Sequence, residues 1–188
     1  MEIAIQHLKQ ADPKLAAIIE RVGPCEMSWR PAEFEALARA IVYQQLNGKA
    51  ARTIYERVEA KAGSPLTPEG IGRLRMPTLR ACGLSQAKAS YIRDLAKSTT
   101  SGKLDFAALP AMSDEDVIAA LTQVKGIGEW SAHMFLMFAL RRPDVLPVGD
   151  FGIRVAMQKA YRLREMPKPK RMEQIAKPWR PYRSVASW

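Results

Sequence analysis

The stretch Leu121-Thr-Gln-Val-Lys-Gly-Ile-Gly-Glu-Trp-Ser-Ala132 interrupts a run of helical periodicity and then restores it. Before it, Val117, Ile118 and Leu121 fall at helical spacing; behind Gly128 a new apolar period begins and runs to about Leu140. Two glycines one residue apart allow a tight hairpin and leave backbone N–H groups bare at a helix N-terminus. Such a terminus binds a phosphate without side-chain charge. Ile127, between the glycines, can plug into a core and fix the turn. A lone G-x-G is a weak signal, and an ordinary helix–turn–helix connection is the plain alternative. The helical periods on both flanks favour a helix-hairpin-helix.

Working outward, the pattern is helical almost throughout. Asp12-Pro13 reads as an N-cap followed by proline at the first helical position, with Leu15, Ile18, Ile19 and Val22 as one stripe ending at Gly23. Pro31 is expected to open a helix through Phe34, Leu37, Ala38, Ile41 and Val42 that ends around Asn47-Gly48. Another runs from Ala50 to near Gly63. Thr67-Pro68 and Met76-Pro77 start short turns or helices, Ser85 caps a helix through Leu95, and Ser113 caps one with acidic residues in its first turn. A last pair is expected over Phe151 to Tyr161 and Trp179 to Trp188, with Met166 to Pro169 as a linker. No segment alternates like a strand. The fold class is therefore all-α, many short helices with short connections. The chain stops at Trp188 inside an amphipathic pattern without a stop signal, so a natural end and a truncated one both fit.

Length and composition narrow the function. A chain of 188 residues, 47% hydrophobic, can bury a real core. Cys25 and Cys82 alone cannot make a four-cysteine zinc site, a disulfide framework or an iron–sulfur cluster, and His7 and His133 supply a zinc-centred mechanism poorly. The near-apolar run Ala132 to Leu140 is too short to span a membrane, and the mixed charges of Met1 to Leu15 are not a secretory signal. An intracellular protein is expected: cytoplasmic and nucleoid-associated in a bacterium, nuclear in a eukaryote. The formal net charge is +10, with +2 over residues 1–150 and +8 over residues 151–188. That skew reads either as a solvated basic tail or as a phosphate-facing surface.

Leu146-Pro-Val-Gly-Asp-Phe-Gly-Ile-Arg-Val155 adds the second chemical feature. Asp150 stands among apolar residues at a helix start. Alone it is an N-cap, worth about 1 kcal/mol. Paired with the upstream hairpin it resembles the helix-hairpin-helix, glycine/proline-rich hairpin, aspartate superfamily of DNA glycosylases. Phe34 to Leu46 with Lys49 to Ile54, Leu79 to Ile92, and Trp179-Arg-Pro-Tyr-Arg-Ser184 resemble one branch of it, the 3-methyladenine DNA glycosylase II family of alkylation repair. The resemblance covers residues 30 to 188 and implies two helical lobes in one bilobal domain (residues 1–188, hairpin 121–132), with DNA bound across the cleft. Some members carry a further N-terminal β-rich domain, for which this chain has no room.

What the resemblance implies can be set out residue by residue. Asp150 matches the catalytic aspartate, whose carboxylate stabilises the positive charge that builds on the sugar as the base leaves. Lyase members carry a lysine at the position held here by Trp130, so no Schiff-base amine is available and a monofunctional hydrolase is implied. Trp130, Met134 and Tyr43 are the candidate walls of a pocket for a flipped cationic base, Phe135 and Met137 being alternatively core. Core packing is the alternative reading of Trp130 itself. Gln44, Gln45 and Leu46 sit where the family's wedge fills the gap left in the duplex, although Gln44 equally suits a helix cap. Lys125, Gly126, Gly128 and Arg154 are the expected phosphate contacts. No cofactor is required; a Na+ or K+ held by the carbonyls of Thr122, Val124 and Ile127 is implied by the family alone. The partner is double-stranded DNA carrying alkylated bases, the protein a monomer, with no membrane role. The competing readings are a non-enzymatic helix-hairpin-helix DNA-binding protein and a glycosylase-lyase for oxidised bases.

Overall fold

The computed structural model describes residues 1–188. Its elements in chain order are α1 (Glu2–Ala11), α2 (Pro13–Val22), α3 (Phe34–Tyr43), α4 (Gly48–Ala62), α5 (Pro68–Arg73), α6 (Met76–Ala81), α7 (Gln86–Thr100), α8 (Asp114–Thr122), α9 (Glu129–Phe138), α10 (Phe151–Ala160), α11 (Pro169–Ala176) and α12 (Arg183–Ser187). Short 3-10 turns cover Leu109–Ala111 and Lys177–Trp179. There are no strands among the described residues, as the all-α reading expects.

Many helix starts follow from local chemistry. The side chains of Asp12, Asn47, Thr67, Ser85, Ser113 and Asp150 each accept a backbone N–H of the first turn of the helix behind them. Each such cap contributes about 1 kcal/mol. The chain divides into two compact units, one made of Met1–Trp29 with Leu136–Trp188 and one of Arg30–Phe135. In the second, α7 packs against α3, α5 and α6, and α3 against α4. Leu37, Ile41, Val42, Val58, Ile71, Leu79, Ile92, Leu95 and Leu121 are buried there.

In the first unit Leu8, Leu15, Leu146, Met157, Met172, Ala176 and Trp179 form one core cluster. Asp12 lies within it, buried. Its Oδ2 accepts the Tyr161 hydroxyl and, at 2.9 Å, the indole N–H of Trp179, while Oδ1 caps α2 through the N–H groups of Lys14 and Leu15. Burial by itself raises the Asp12 pKa, but these four donors outweigh it and hold the carboxyl below its ordinary value. Asp144 plays a similar part for the last segment, with Arg180 and Arg183 both at 2.7 Å.

Several expectations are corrected. α3 starts at Phe34, not Pro31, and ends at Tyr43, because Asn47 caps α4 through the Ala50 N–H and does not extend α3. α9 stops at Phe138, short of Leu140. The helix expected from Trp179 to Trp188 is a 3-10 turn followed by the short α12; Trp179 is drawn inward by its bond to Asp12. α1 and α11 lie outside the helices expected from the sequence. The basic C-terminal stretch is no solvated tail: α11 places Met172 and Ala176 in the core and turns its Lys and Arg side chains outward.

Candidate active site

The hairpin is built by successive tight bonds. Val124 N–H donates to the Leu121 carbonyl and Ile127 N–H to the Val124 carbonyl, each at 3.1 Å, while the Thr122 hydroxyl turns back on the Ile118 carbonyl. Val124 and Ile127 are buried, so the hairpin is anchored by its own apolar residues. Gly126 takes a φ of +82°, and a β-carbon added there would come within 2.1 Å of the Tyr91 ring. Both facts require glycine. Gly128 is different: an added β-carbon meets nothing within 4 Å. No contact inside the protein requires glycine there. Lys125 is exposed, and its own N–H is taken by Asp94 Oδ2 at 2.9 Å.

The segment expected to act as a wedge is joined to this hairpin. Gln44 donates its amide to the Gly126 carbonyl at 2.8 Å and is the C-cap of α3. Its neighbours form a turn in which Leu46 N–H donates to the Tyr43 carbonyl. Gln44 stands at φ −50°, ψ 130° and Gln45 at φ +54°, the backbone of a type II turn. Glutamine in that left-handed position costs about 1–2 kcal/mol. Gln45 and Leu46 are exposed, whereas Gln44 is half-buried and committed to Gly126. Of the three, Gln45 and Leu46 are free to reach out.

Trp130 and Met134 lie one turn apart on α9. Trp130 is 47% exposed, which rules against the core-packing reading, while Phe135 and Met137 are buried and belong to the core. Met134 is half-buried. His133, between them in sequence, faces inward; burial pushes its pKa down against the opposing pull of Glu129 and Asp114. Tyr43 is less open than expected. The Arg39 guanidinium lies 4.1 Å from its ring centre and 5.1 Å from that of Tyr55, whose hydroxyl donates to Glu35. One π face of Tyr43 is thereby occupied.

In the other unit, Asp150 heads α10. Its N–H donates to the Pro147 carbonyl and its Oδ1 accepts the Ile153 N–H, both at 2.9 Å. The aspartate is thus both an N-cap and a carboxylate held at a helix N-terminus, and the two readings of it do not compete. Arg154, one turn on, gives its Nε to the Pro167 carbonyl at 3.2 Å and is half-buried. An apolar cavity of about 170 Å³ also lies in this unit, lined by residues that include Leu8, Ile19, Met157, Trp179 and Trp188. It contains neither Asp150 nor Arg154. No three His, Cys, Asp or Glu side chains converge as metal ligands among the described residues, and no helix is long and apolar enough to cross a membrane.

The sequence model of the HhH-GPD superfamily base excision DNA repair proteins matches residues 38–181, a span that holds both the hairpin and Asp150. This chain belongs to the HhH-GPD superfamily. It is 33% identical to DNA-3-methyladenine glycosylase 1 of Schizosaccharomyces pombe, over 97% of this chain and 82% of that one. The crystal structure of a DNA-3-methyladenine glycosidase from Bacillus halodurans superposes with a TM-score of 0.87 at 38% identity, covering 98% of this chain and 85% of that one. The S. pombe 3-methyladenine DNA glycosylase Mag1 in complex with abasic DNA gives a TM-score of 0.84 at 33% identity, covering 98% and 93%.

Three side chains of the site were not foreseen: Lys88, Tyr91 and Asp94. They recur every third residue along α7, and each meets the backbone of the wedge turn or the hairpin. The only sequence signal was their shared helix face; the partners lie about 30 to 45 residues away in the chain.

Proposed function

We propose that this HhH-GPD protein is a monofunctional DNA glycosylase that removes alkylated purines, 3-methyladenine and 7-methylguanine, in base excision repair, acting as a monomer on double-stranded DNA. The observation that carries the reading is Asp150 capping α10 behind a Gly126/Gly128 hairpin that is followed by Trp130 and not by lysine. In this reading the Gly126 and Gly128 N–H groups and the Lys125 ammonium hold a backbone phosphate, with Arg154 adding a second cationic contact. Gln45 and Leu46 fill the gap in the duplex. Trp130, with Met134 and the open face of Tyr43, receives the extruded base, an electron-poor ring attracted to a π face. Carbonyl oxygens of Thr122, Val124 and Ile127 would hold a monovalent cation that offsets phosphate charge at the hairpin; the Val124 oxygen accepts one N–H and keeps a second lone pair.

The chemistry asks little of a general acid. The bond from C1′ to N9 of the alkylated purine breaks with its electron pair going to the base, which departs neutral because it was cationic. The Asp150 carboxylate stabilises the positive charge left on the sugar. Water then adds to C1′, and its proton passes to Asp150 or to solvent. The products are the free base and an abasic strand.

The deciding experiment is base release from methylated duplex DNA with the products identified. Free 3-methyladenine and 7-methylguanine over an uncut strand are expected. Failure to release either base, or strand scission without alkali, overturns the reading.

A further inference from the structure

Lys88 has no role in the chemistry above, yet its surroundings are unusual for a surface lysine. It lies in the first turn of α7, half-buried, and its Nζ donates to two backbone carbonyls, Val42 at 2.8 Å and Gln44 at 2.5 Å. No carboxylate shares the charge in an ion pair. A half-buried lysine whose ammonium is spent on backbone oxygens is a commitment, because a lysine loses much rotamer freedom when fixed. The Val42 carbonyl belongs to the last turn of α3, where the helix has run out of donors. The Gln44 carbonyl belongs to the central peptide of the Tyr43–Leu46 turn. A type I and a type II turn differ chiefly in the direction of that one carbonyl. In the type II form it faces Lys88, and Gln45 is thereby carried to φ +54°. Charge-assisted bonds are stronger than neutral ones, so this contact can offset strain that glutamine otherwise avoids. The next two residues along the same edge of α7 fix the hairpin: Tyr91 packs on Gly126, and Asp94 accepts the Lys125 N–H.

We propose that Lys88 is a positioning residue for strand opening: its two carbonyl bonds hold the Tyr43–Leu46 turn in the strained form that presents Gln45 and Leu46, in register with the hairpin. This builds on the reading of Gln45 and Leu46 as the wedge. The effect falls on extruding the base and not on breaking its bond. Loss of Lys88 therefore matters most where the lesion is paired and stacked, and little where no duplex has to be opened.

The test uses the full chain with Lys88→Met, which keeps length and removes the donor, and Lys88→Arg, which keeps a cation. Single-turnover release of 7-methylguanine is compared between duplex and single-stranded DNA of the same sequence. Lys88→Met is expected to slow the duplex reaction about ten-fold more than the single-stranded one, and Lys88→Arg to recover part of the loss. Equal losses on both substrates overturn the proposal. A second measurement stands whether or not the protein releases bases: amide exchange of Leu46 in the free protein. It is expected to accelerate at least several-fold in Lys88→Met while the amides of the middle of α4 keep their rates. Unchanged exchange at Leu46 overturns the proposal by itself. Lack of base release by the unaltered protein counts against the glycosylase reading alone.

Discussion

Gln44 donates its side-chain amide to the carbonyl of Gly126 at 2.8 Å, joining two turns that lie 82 residues apart in the chain. One turn carries the residues proposed to enter the duplex, and the other carries those proposed to hold its phosphate. The bond is short and neutral, worth about 1 kcal/mol by itself. Its value lies in register, since the turn that fills the gap must be set relative to the phosphate that is gripped.

Asp150→Asn is expected to fold normally and to bind DNA, because asparagine caps helices about as well as aspartate. Base release should fall by a factor of at least 100, since the negative charge facing the developing sugar cation is gone. Thermal melting, DNA affinity and single-turnover kinetics measured together check this. A variant that retains near-normal turnover would show that the cap is all Asp150 provides, and would favour a DNA-binding role without catalysis.

The two hairpin glycines should respond differently. Gly126→Ala combines a positive φ with a collision against Tyr91 and is expected to destabilise the protein by more than about 2 kcal/mol. Gly128→Ala meets nothing within the protein and should leave stability unchanged within about 0.5 kcal/mol while weakening DNA binding. Denaturant melts set beside DNA titrations separate the two. Equal stability losses would mean that Gly128 is structural after all.

Trp130→Ala is expected to cost more rate on cationic alkylpurines than on neutral lesions such as hypoxanthine. A cation–π contact contributes about 0.5–2 kcal/mol, which is a two- to thirty-fold effect. The exposed indole makes a folding defect a poor explanation for any loss. Single-turnover rates on each lesion provide the comparison, and uniform losses would reduce Trp130 to shaping the pocket.

Asp12 is expected to contribute a pH-dependent part of the stability. Its pKa is depressed in the folded protein, so the stability it contributes is fully present above its unfolded value near 3.8 and is lost as pH falls through the lower folded value. Asp12→Ala leaves the Tyr161 hydroxyl and the Trp179 indole N–H without their acceptor and should cost about 2–5 kcal/mol at neutral pH. The gap between the unaltered protein and this variant should hold steady from pH 7 to about 5 and narrow below about 4. Urea melts across that range measure it; a gap that widens on acidification would contradict the assignment.

The sequence by itself determined the class of fold and the chemistry to look for. Helix periods, caps at Ser85, Ser113 and Asp12, and two glycines flanking Ile127 are local signals, and local physics suffices to read them. Asp150 and Trp130 could be placed because a motif fixes their spacing from the hairpin. Other features were decided only by the tertiary structure. The local pattern expects Trp179 to open a helix, whereas Asp12, 167 residues away, draws it into the core. The expected α3 is too long because nothing in its own residues shows that Lys88 takes up the Val42 carbonyl of its last turn. The left-handed Gln45 runs against its local preference, and the turn that carries it is bonded to Lys88 of α7 and, through Gln44, to the hairpin. Hydrogen bonds between segments distant in the chain have no period and no neighbouring-residue signature, so they become visible only when the chain is folded.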